Sequence, residues 1–281
     1  MFQLFKFFTL TLFIFSASSV WGQANIEGQA SAASKDDGIK IMHSLGFSGR
    51  IGANQTPGEA SPATAGMDYT AIALPAKNVS MIFRTGFVNE LDYGPDGKQE
   101  ANLNNSLLIT NFNNVYTNEF GRLNINTFTT LPTNPDSWKF DSFRGGIQFG
   151  PNWVFKTPSH IFLRLRTNVS RRFHEFKTRI DGSNNTETIV SHQLFFSYSF
   201  NSKFSFSNIF SNFHVWNAQG NRTQDFFYMG QILDYNINRN FTLSLGHDLQ
   251  DSTFSYNGQT YNLAVYDLDQ SMFYTYLTYR F

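Results

Sequence analysis

The chain has 281 residues, a formal net charge of zero and no cysteine, so it offers no disulfide, no thiolate nucleophile and no general electrostatic attraction to nucleic acid. Charged residues supply 15% of the chain, against about 25% in an average soluble domain. Aromatic residues reach 17%, yet the mean hydropathy is only −0.30. This mixture excludes a disordered chain, which is poor in aromatics, and a bundle of membrane helices, which needs apolar runs of about 20 residues.

The N-terminal residues have the pattern of a secretory signal peptide. Lys6 precedes an apolar run over 7–15, and Val20 and Gly22 occupy the positions that a signal peptidase reads before a cut after Gly22. The run is too short to span a bilayer about 30 Å thick, which argues against a membrane anchor. We therefore predict a signal peptide at 1–22, a flexible periplasmic leader at 23–38 and one folded domain at 39–281.

Residues 39–281 alternate between apolar and polar side chains with a period of two, which predicts β-strands. In the segment 143–156, for example, Phe149 and Trp153 fall on one face and Gln148 and Asn152 on the other. The ninth strand is predicted to carry a bulge near Asn208, where its apolar face changes side. The predicted strands are 39–52, 66–75, 78–90, 102–116, 120–131, 142–156, 160–174, 188–200, 204–216, 225–236, 240–250 and 267–281.

The lengths of the strands and of their connections predict a membrane barrel. Strands of about 10–15 residues exceed the usual length of about 5–6 in soluble sandwiches, whereas tilted strands need about 9–11 to cross a bilayer. Short turns alternate with longer loops rich in Gly, Pro, Asn and Asp, which is typical of bacterial outer-membrane barrels. The predicted fold is all-β: a transmembrane antiparallel up-and-down β-barrel of about twelve strands.

The last strand ends in Phe281 and places Tyr279 and Leu277 on the same face. This ending resembles the assembly signal of Gram-negative outer-membrane β-barrel proteins, and the chain looks like a small, monomeric porin-like member. The resemblance implies export to the outer membrane, contact with its lipid, and recognition of Phe281, Tyr279 and Leu277 by the barrel-insertion machinery. Known twelve-stranded members include narrow channels for acidic oligosaccharides or nucleosides and a few lipid-cleaving enzymes, and no motif assigns this chain to one of them.

The inner face is predicted to be basic. Alternation assigns few acids to it, mainly Glu90 and Asp248, while most other acids fall in the leader and the loops. A ring of arginines favours anions, so we predict a channel for passive diffusion of small hydrophilic solutes, with a preference for anions. Because twelve strands lie between filled and open barrels, a closed barrel acting through its long loops is the alternative. The predicted pore-lining residues are Arg50, Arg84, Arg122, Arg144, Arg164, Arg166, Arg172 and Arg280.

Catalytic residues, a metal and cofactors are not predicted. Residues two apart on a strand share a face, and none of the six histidines is followed two positions later by serine. A nucleophile and base on different strands stay open as a less favoured hydrolase alternative. The chain lacks the helical spacing of paired histidine ligands and a calcium-loop pattern. Nucleic acid is not an expected partner, and the sequence gives no oligomeric state.

Overall fold

The computed structural model describes residues 40–53, 63–91, 101–253 and 265–281. The predicted signal peptide and leader lie outside these residues. The elements are β1 Lys40–Gly52, β2 Thr64–Ala76, β3 Val79–Glu90, β4 Ala101–Leu103, β5 Ser106–Asn118, β6 Gly121–Leu131, α1 Pro135–Lys139, β7 Phe143–Phe155, β8 Ile161–His174, β9 Thr186–Ser199, β10 Phe204–Asn217, β11 Arg222–Asn236, β12 Phe241–Ser252 and β13 Ser271–Arg280.

All the strands belong to one antiparallel sheet that closes on itself. Apart from β4 and β5, each strand pairs with its neighbours in sequence, and β1 pairs with β13 along nine residues from Ser44 to Gly52. The short β4 and the long β5 both pair with β3, so together they occupy one place in the ring. The result is a closed 12-strand barrel, which confirms the predicted fold class.

The strand boundaries agree with the predicted ones to within a few residues, but one irregularity was misplaced. The strand predicted to bulge near Asn208 is β10, and its pairing with β11 is regular there and shifts at Val215 and Trp216 instead. The apolar face changes because Ile209 points inward and is fully buried, not because the backbone inserts a residue. Apolar side chains therefore occur on both faces of β10.

The two faces of the barrel differ in exposure. Alternate positions of β1 show the pattern, since Phe47 and Ile51 are exposed while Gly46 and Gly52 are buried. Exposed Phe, Leu and Ile side chains recur at the outward positions of the other strands. Such an apolar outer surface suits hydrocarbon, in which a closed barrel satisfies every backbone hydrogen bond.

The two ends of the barrel carry connections of different length. At the turn rim, two residues join β5 to β6 and four join β9 to β10. At the loop rim, α1 lies between β6 and β7, and an eleven-residue loop joins β8 to β9. Asn134 caps α1 by accepting hydrogen bonds from the N–H groups of Asp136 and Ser137. No helix in the described part of the chain has the length and apolar character to cross a membrane.

Candidate functional site: the barrel interior

The strand register places most of the predicted pore-lining arginines on the inner face. Arg84 lies opposite Thr70, and Arg166 lies opposite Asn152, both pairs on the buried side of the wall. The inward-facing members of the predicted set are Arg50, Arg84, Arg122, Arg164, Arg166, Arg172 and Arg280.

The predicted inward position of Arg144 is wrong. A β-bulge between Phe143 and Gly145 adds a residue to β7, which inverts the alternation at the loop rim. Phe143 consequently packs inside against His174, with the two ring centroids 5.6 Å apart. Arg144 is exposed and forms an ion pair with Glu175 in the loop that follows β8.

The inner faces of β5 to β10, which we call the basic wall, carry more arginine than acid. The four inward arginines are Arg122, Arg164, Arg166 and Arg172. Glu187 is the one acid within these six strands, all of whose residues are described, and it pairs with the exposed Arg171 at the loop end of β9. The positive charge of this wall is therefore not balanced by its own strands.

Arg164 and Arg166 are the most deeply placed charges of the basic wall. Their exposures are 0% and 1%. The guanidinium of Arg164 lies 5.0 Å from the ring centroid of Phe195, and that of Arg166 lies 5.7 Å from the ring centroid of Phe128. Cation–π contacts of this kind favour a cation at a partly desolvated position.

Neutral amides accompany the arginines across the basic wall. Asn111 donates a hydrogen bond to Ser80 Oγ at 3.0 Å, Asn126 donates to Asn111, and Asn152 donates to Asn126 at 3.3 Å. These cross-strand bonds run from β3 to β7 through fully buried side chains. Amide groups satisfy one another without adding charge, so the ladder leaves the arginines as the charged groups of this wall.

The inner faces of β11 to β13 and β1 to β3, which we call the paired wall, balance each cation with acid. Arg84 Nη2 lies 3.4 Å from Asp68 Oδ2, and the Tyr276 hydroxyl donates a hydrogen bond to the same carboxylate. This hydrogen-bonded ion pair joins β2, β3 and β13, and its two charged side chains are partly buried. Asp68 was not among the predicted inward acids, because the alternation of β2 is faint.

Two further carboxylates of the paired wall have defined donors. The Tyr228 hydroxyl donates to Asp248 Oδ1 at 2.7 Å, and Ser244 donates to Asp234 Oδ1 at 2.5 Å. Arg50 lies within electrostatic reach of Asp248, and Arg280 within reach of Asp234. Asp248 was predicted inside and lies there, whereas Asp234 is a second inward acid that the sequence did not identify.

Tyrosines of β13 fit into inward-facing glycines of the neighbouring strands. A Cβ at Gly46 would overlap the Tyr276 hydroxyl and come within 2.8 Å of Asp68 Oδ2. A Cβ at Gly246 would likewise overlap the ring of Tyr274. Both glycines are required by this close approach, and the fit holds β13 against both of its neighbours where the barrel closes.

Apolar side chains also enter the interior. Phe195, Ile209 and Tyr228 form a buried cluster, and the rings of Phe213 and Phe226 stack with centroids 4.5 Å apart. A further cluster contains Ile72, Ile82, Ile109 and Phe128. The interior is therefore a mixture of apolar clusters, amides and charges, and much of it is packed.

The predicted assembly residues occupy the outer edge of the turn rim. Phe281 exchanges backbone hydrogen bonds with His43 at 3.0 and 3.2 Å, and their rings stack. Tyr279 stacks on Phe241 with centroids 4.7 Å apart. Leu277 pairs with Phe47 of β1. Recognition of these residues by the insertion machinery stays a prediction.

At the loop rim, Asp141 connects the loop before β7 to the loop after β8. Its carboxylate lies 3.0 Å from Arg179 Nε, and the N–H of Ile180 donates to Phe140 O nearby. Burial raises the pKa of the Asp141 carboxyl above its ordinary value, while Arg179, His174 and Arg172 oppose the rise. Among the described residues, no group of three or more His, Asp or Glu side chains could hold a metal ion.

Known structures of similar architecture are outer-membrane channels. The NanC porin aligns over 84% of this chain and 98% of its own, with 11% identity and a TM-score of 0.57. An outer-membrane channel from Pseudomonas putida F1 aligns over 88% of this chain and 97% of its own, with 9% identity and a TM-score of 0.58. No protein-family model and no curated protein sequence matches the chain. At these identities the similarity is one of fold, and it agrees with the porin-like barrel that the sequence predicted.

Proposed function

We propose that this protein is a narrow outer-membrane channel through which small hydrophilic solutes diffuse passively, with anions preferred. The basic wall is the observation that carries the proposal. Its four inward arginines stand on strands whose inner faces hold no acid, and two of them lie deep in the barrel. Arginines at a constriction lower the electrostatic barrier for anions and raise it for cations.

The two walls act together in this proposal. The paired wall contributes little net charge, because Lys40, Arg50, Arg84 and Arg280 face the interior together with Asp68, Glu90, Asp234 and Asp248. The interior field is therefore set by the basic wall. A low-dielectric wall concentrates such a field on whatever passes, so a few fixed charges suffice for selectivity.

A closed barrel that acts through its loops is the second candidate, and the packing of the interior favours it. Arg164, Asn152 and Ile209 are all 0% exposed. Side chains packed this tightly can fill the interior of a barrel, as they do in barrels with fewer strands. In that case the arginines stabilise the interior instead of guiding solutes, and the loops at the loop rim carry the function.

Planar-bilayer recordings of the refolded full-length protein separate the two candidates. We expect discrete conductance steps that persist when the loop between β8 and β9 is shortened by removing residues 179–183. A protein that migrates as a folded, heat-modifiable barrel on gels but gives no conductance steps would overturn the channel proposal. Conductance that appears only after loop removal would identify the loops as the closure and would also contradict an open channel.

A further inference from the structure

Three outward-facing side chains on β11, β12 and β13 form a chain of hydrogen bonds. Ser271 Oγ lies 3.0 Å from Nε2 of His247, and Nδ1 of the same ring lies 3.4 Å from Oε1 of Gln231. Hydroxyl, imidazole and carbonyl oxygen therefore follow one another in the order that a serine nucleophile, its base and the orienting group require.

The strand register brings these residues together on one face. Gln231 lies directly opposite His247, and Ser271 pairs with Leu249, which follows His247 on the same face of β12. That face also carries the exposed Leu245 and Phe273. The three groups thus lie on the outer surface of the barrel, where the proposed function places lipid.

The protons are arranged for serine activation. The backbone N–H of Asp267 donates to Ser271 Oγ at 3.1 Å, and the hydroxyl proton of Ser271 stays available for Nε2. Gln231 Oε1 can only accept, so it selects the His247 tautomer with its proton on Nδ1. Nε2 is then a free base facing the hydroxyl.

Two other outward histidines have a hydroxyl partner, His43 beside Tyr69 and His192 beside Thr167, and His192 lacks this sequence of groups. Thr167 Oγ1 lies 3.1 Å from Nδ1 of His192, and within the described strands no oxygen is found on Nε2 of that ring to orient it. His192 therefore offers a matched control: an outward histidine bonded to a hydroxyl, without the third group.

We propose that Ser271, His247 and Gln231 form a second site, an acyl-ester hydrolase that acts on glycerolipids at the outer surface of the barrel. Ser271 Oγ attacks the ester carbonyl carbon as its proton passes to His247 Nε2. The tetrahedral adduct then breaks its bond to the glycerol oxygen, which takes that proton and leaves as an alcohol. Water hydrolyses the acyl-serine with His247 again as base, which releases a fatty acid and restores Ser271.

The rings of Tyr266 and Phe273 define how an acyl chain reaches the site. Their centroids lie 6.1 and 5.2 Å from that of His247, and Ser271 is only 1% exposed. Phe273 belongs to β13, whereas Tyr266 lies in the segment before it and is 53% exposed. The ester therefore enters by displacing Tyr266, and Tyr266→Ala should raise the rate of hydrolysis.

The test uses refolded full-length protein in detergent micelles containing a phosphatidylethanolamine with a fluorogenic acyl ester. We expect fatty-acid release by the wild type, with Ser271 carrying the adduct after treatment with a fluorophosphonate. Ser271→Ala and His247→Gln should each reduce release by at least about 100-fold, the contribution typical of a lost nucleophile or base. Gln231→Leu should reduce it less, and His192→Gln should leave it unchanged.

Heat-modifiable gel mobility shows which variants have folded. Release by the wild type no faster than by Ser271→Ala, with both folded and Ser271 unlabelled, would overturn the hydrolase and leave Ser271 as the hydroxyl that holds the turn at 267–271. Because the site faces outward, Ser271→Ala should not change conductance. A failure of the hydrolase proposal can thus be distinguished from a failure of the channel proposal.

Discussion

The two walls of the barrel interior accommodate their inward-facing arginines in different ways. In the paired wall, Arg84 and Asp68 neutralise each other beside a tyrosine hydroxyl, so a buried charge is compensated by a neighbouring strand. In the basic wall, Arg164 and Arg166 lie over aromatic rings among amides. The first arrangement holds the barrel together where it closes, and in the proposed function the second provides a positive field for a solute. Stability and selectivity should therefore respond to different substitutions.

The largest effect on stability should come from breaking the charge pair of the paired wall. Arg84→Met leaves the partly buried Asp68 carboxylate without its cation; losing one partner of a fully buried pair typically costs about 3–5 kcal/mol in the free energy of unfolding, which sets the upper limit here. Urea titration monitored by the shift in gel mobility measures the loss. Arg122→Met, in the basic wall, is the matched control and should cost clearly less. Equal losses in the two variants would show that an arginine of the paired wall contributes no more to stability than one of the basic wall.

Filling a glycine beside β13 should have the next largest effect. Gly46→Ala introduces a methyl group where the Tyr276 hydroxyl lies, and such overpacking typically costs about 1–3 kcal/mol. Gly49→Ala on the same strand meets no atom within 4 Å and provides the control. The same urea titration applies. If Gly49→Ala destabilised the barrel as much as Gly46→Ala, the tyrosine fit would not explain the closure.

Replacing the deep arginines of the basic wall should alter permeation more than stability. In liposome-swelling assays, the wild type should admit an acidic sugar faster than a neutral sugar of the same size. Arg164→Gln combined with Arg166→Gln should bring the two rates together, because the fixed positive field is lost. Arg280→Gln, in the paired wall, should change the ratio less. An unchanged ratio in the double variant would contradict the role of the basic wall.

The smallest effect concerns the contact between loops at the loop rim. Because burial raises the pKa of Asp141, the folded state holds this proton more tightly than the unfolded state. The contact should therefore gain stability as the pH falls through the raised pKa and lose it as the pH rises. Exchange of the Ile180 amide should slow on acidification beyond its intrinsic change in wild type, but not in Asp141→Asn. Equal behaviour of the two proteins would exclude Asp141 as the titrating group.

Most of the fold was predictable from the sequence because strand periodicity and connection length are local properties. The sequence located each barrel strand, and it assigned seven of the eight arginines to the inner face. The exception, Arg144, follows from a bulge that inserts one residue without changing the local pattern of residue types. The bulge predicted near Asn208 is wrong for a related reason, since the partly packed interior accepts Ile209, an apolar side chain of the kind that alternation assigns to lipid.

The cross-strand groups could not be predicted in this way. Asp68 reaches Arg84 and Tyr276 only once β2 lies between β1 and β3 in the observed register. Ser271 reaches His247 by a diagonal offset between β12 and β13, whereas a search along one strand finds only residues two positions apart. A register shift of one residue would move every one of these side chains to the opposite face. Partners on different strands therefore need the pairing, which one sequence does not contain.

The reversal potential across a tenfold potassium chloride gradient tests the central claim most directly. The wild-type channel should reverse toward the chloride equilibrium potential, and the Arg164→Gln, Arg166→Gln variant should shift toward zero. Arg280→Gln should stay close to the wild type. A cation-selective wild-type channel, or selectivity that survives the loss of both deep arginines, would contradict an interior governed by the basic wall.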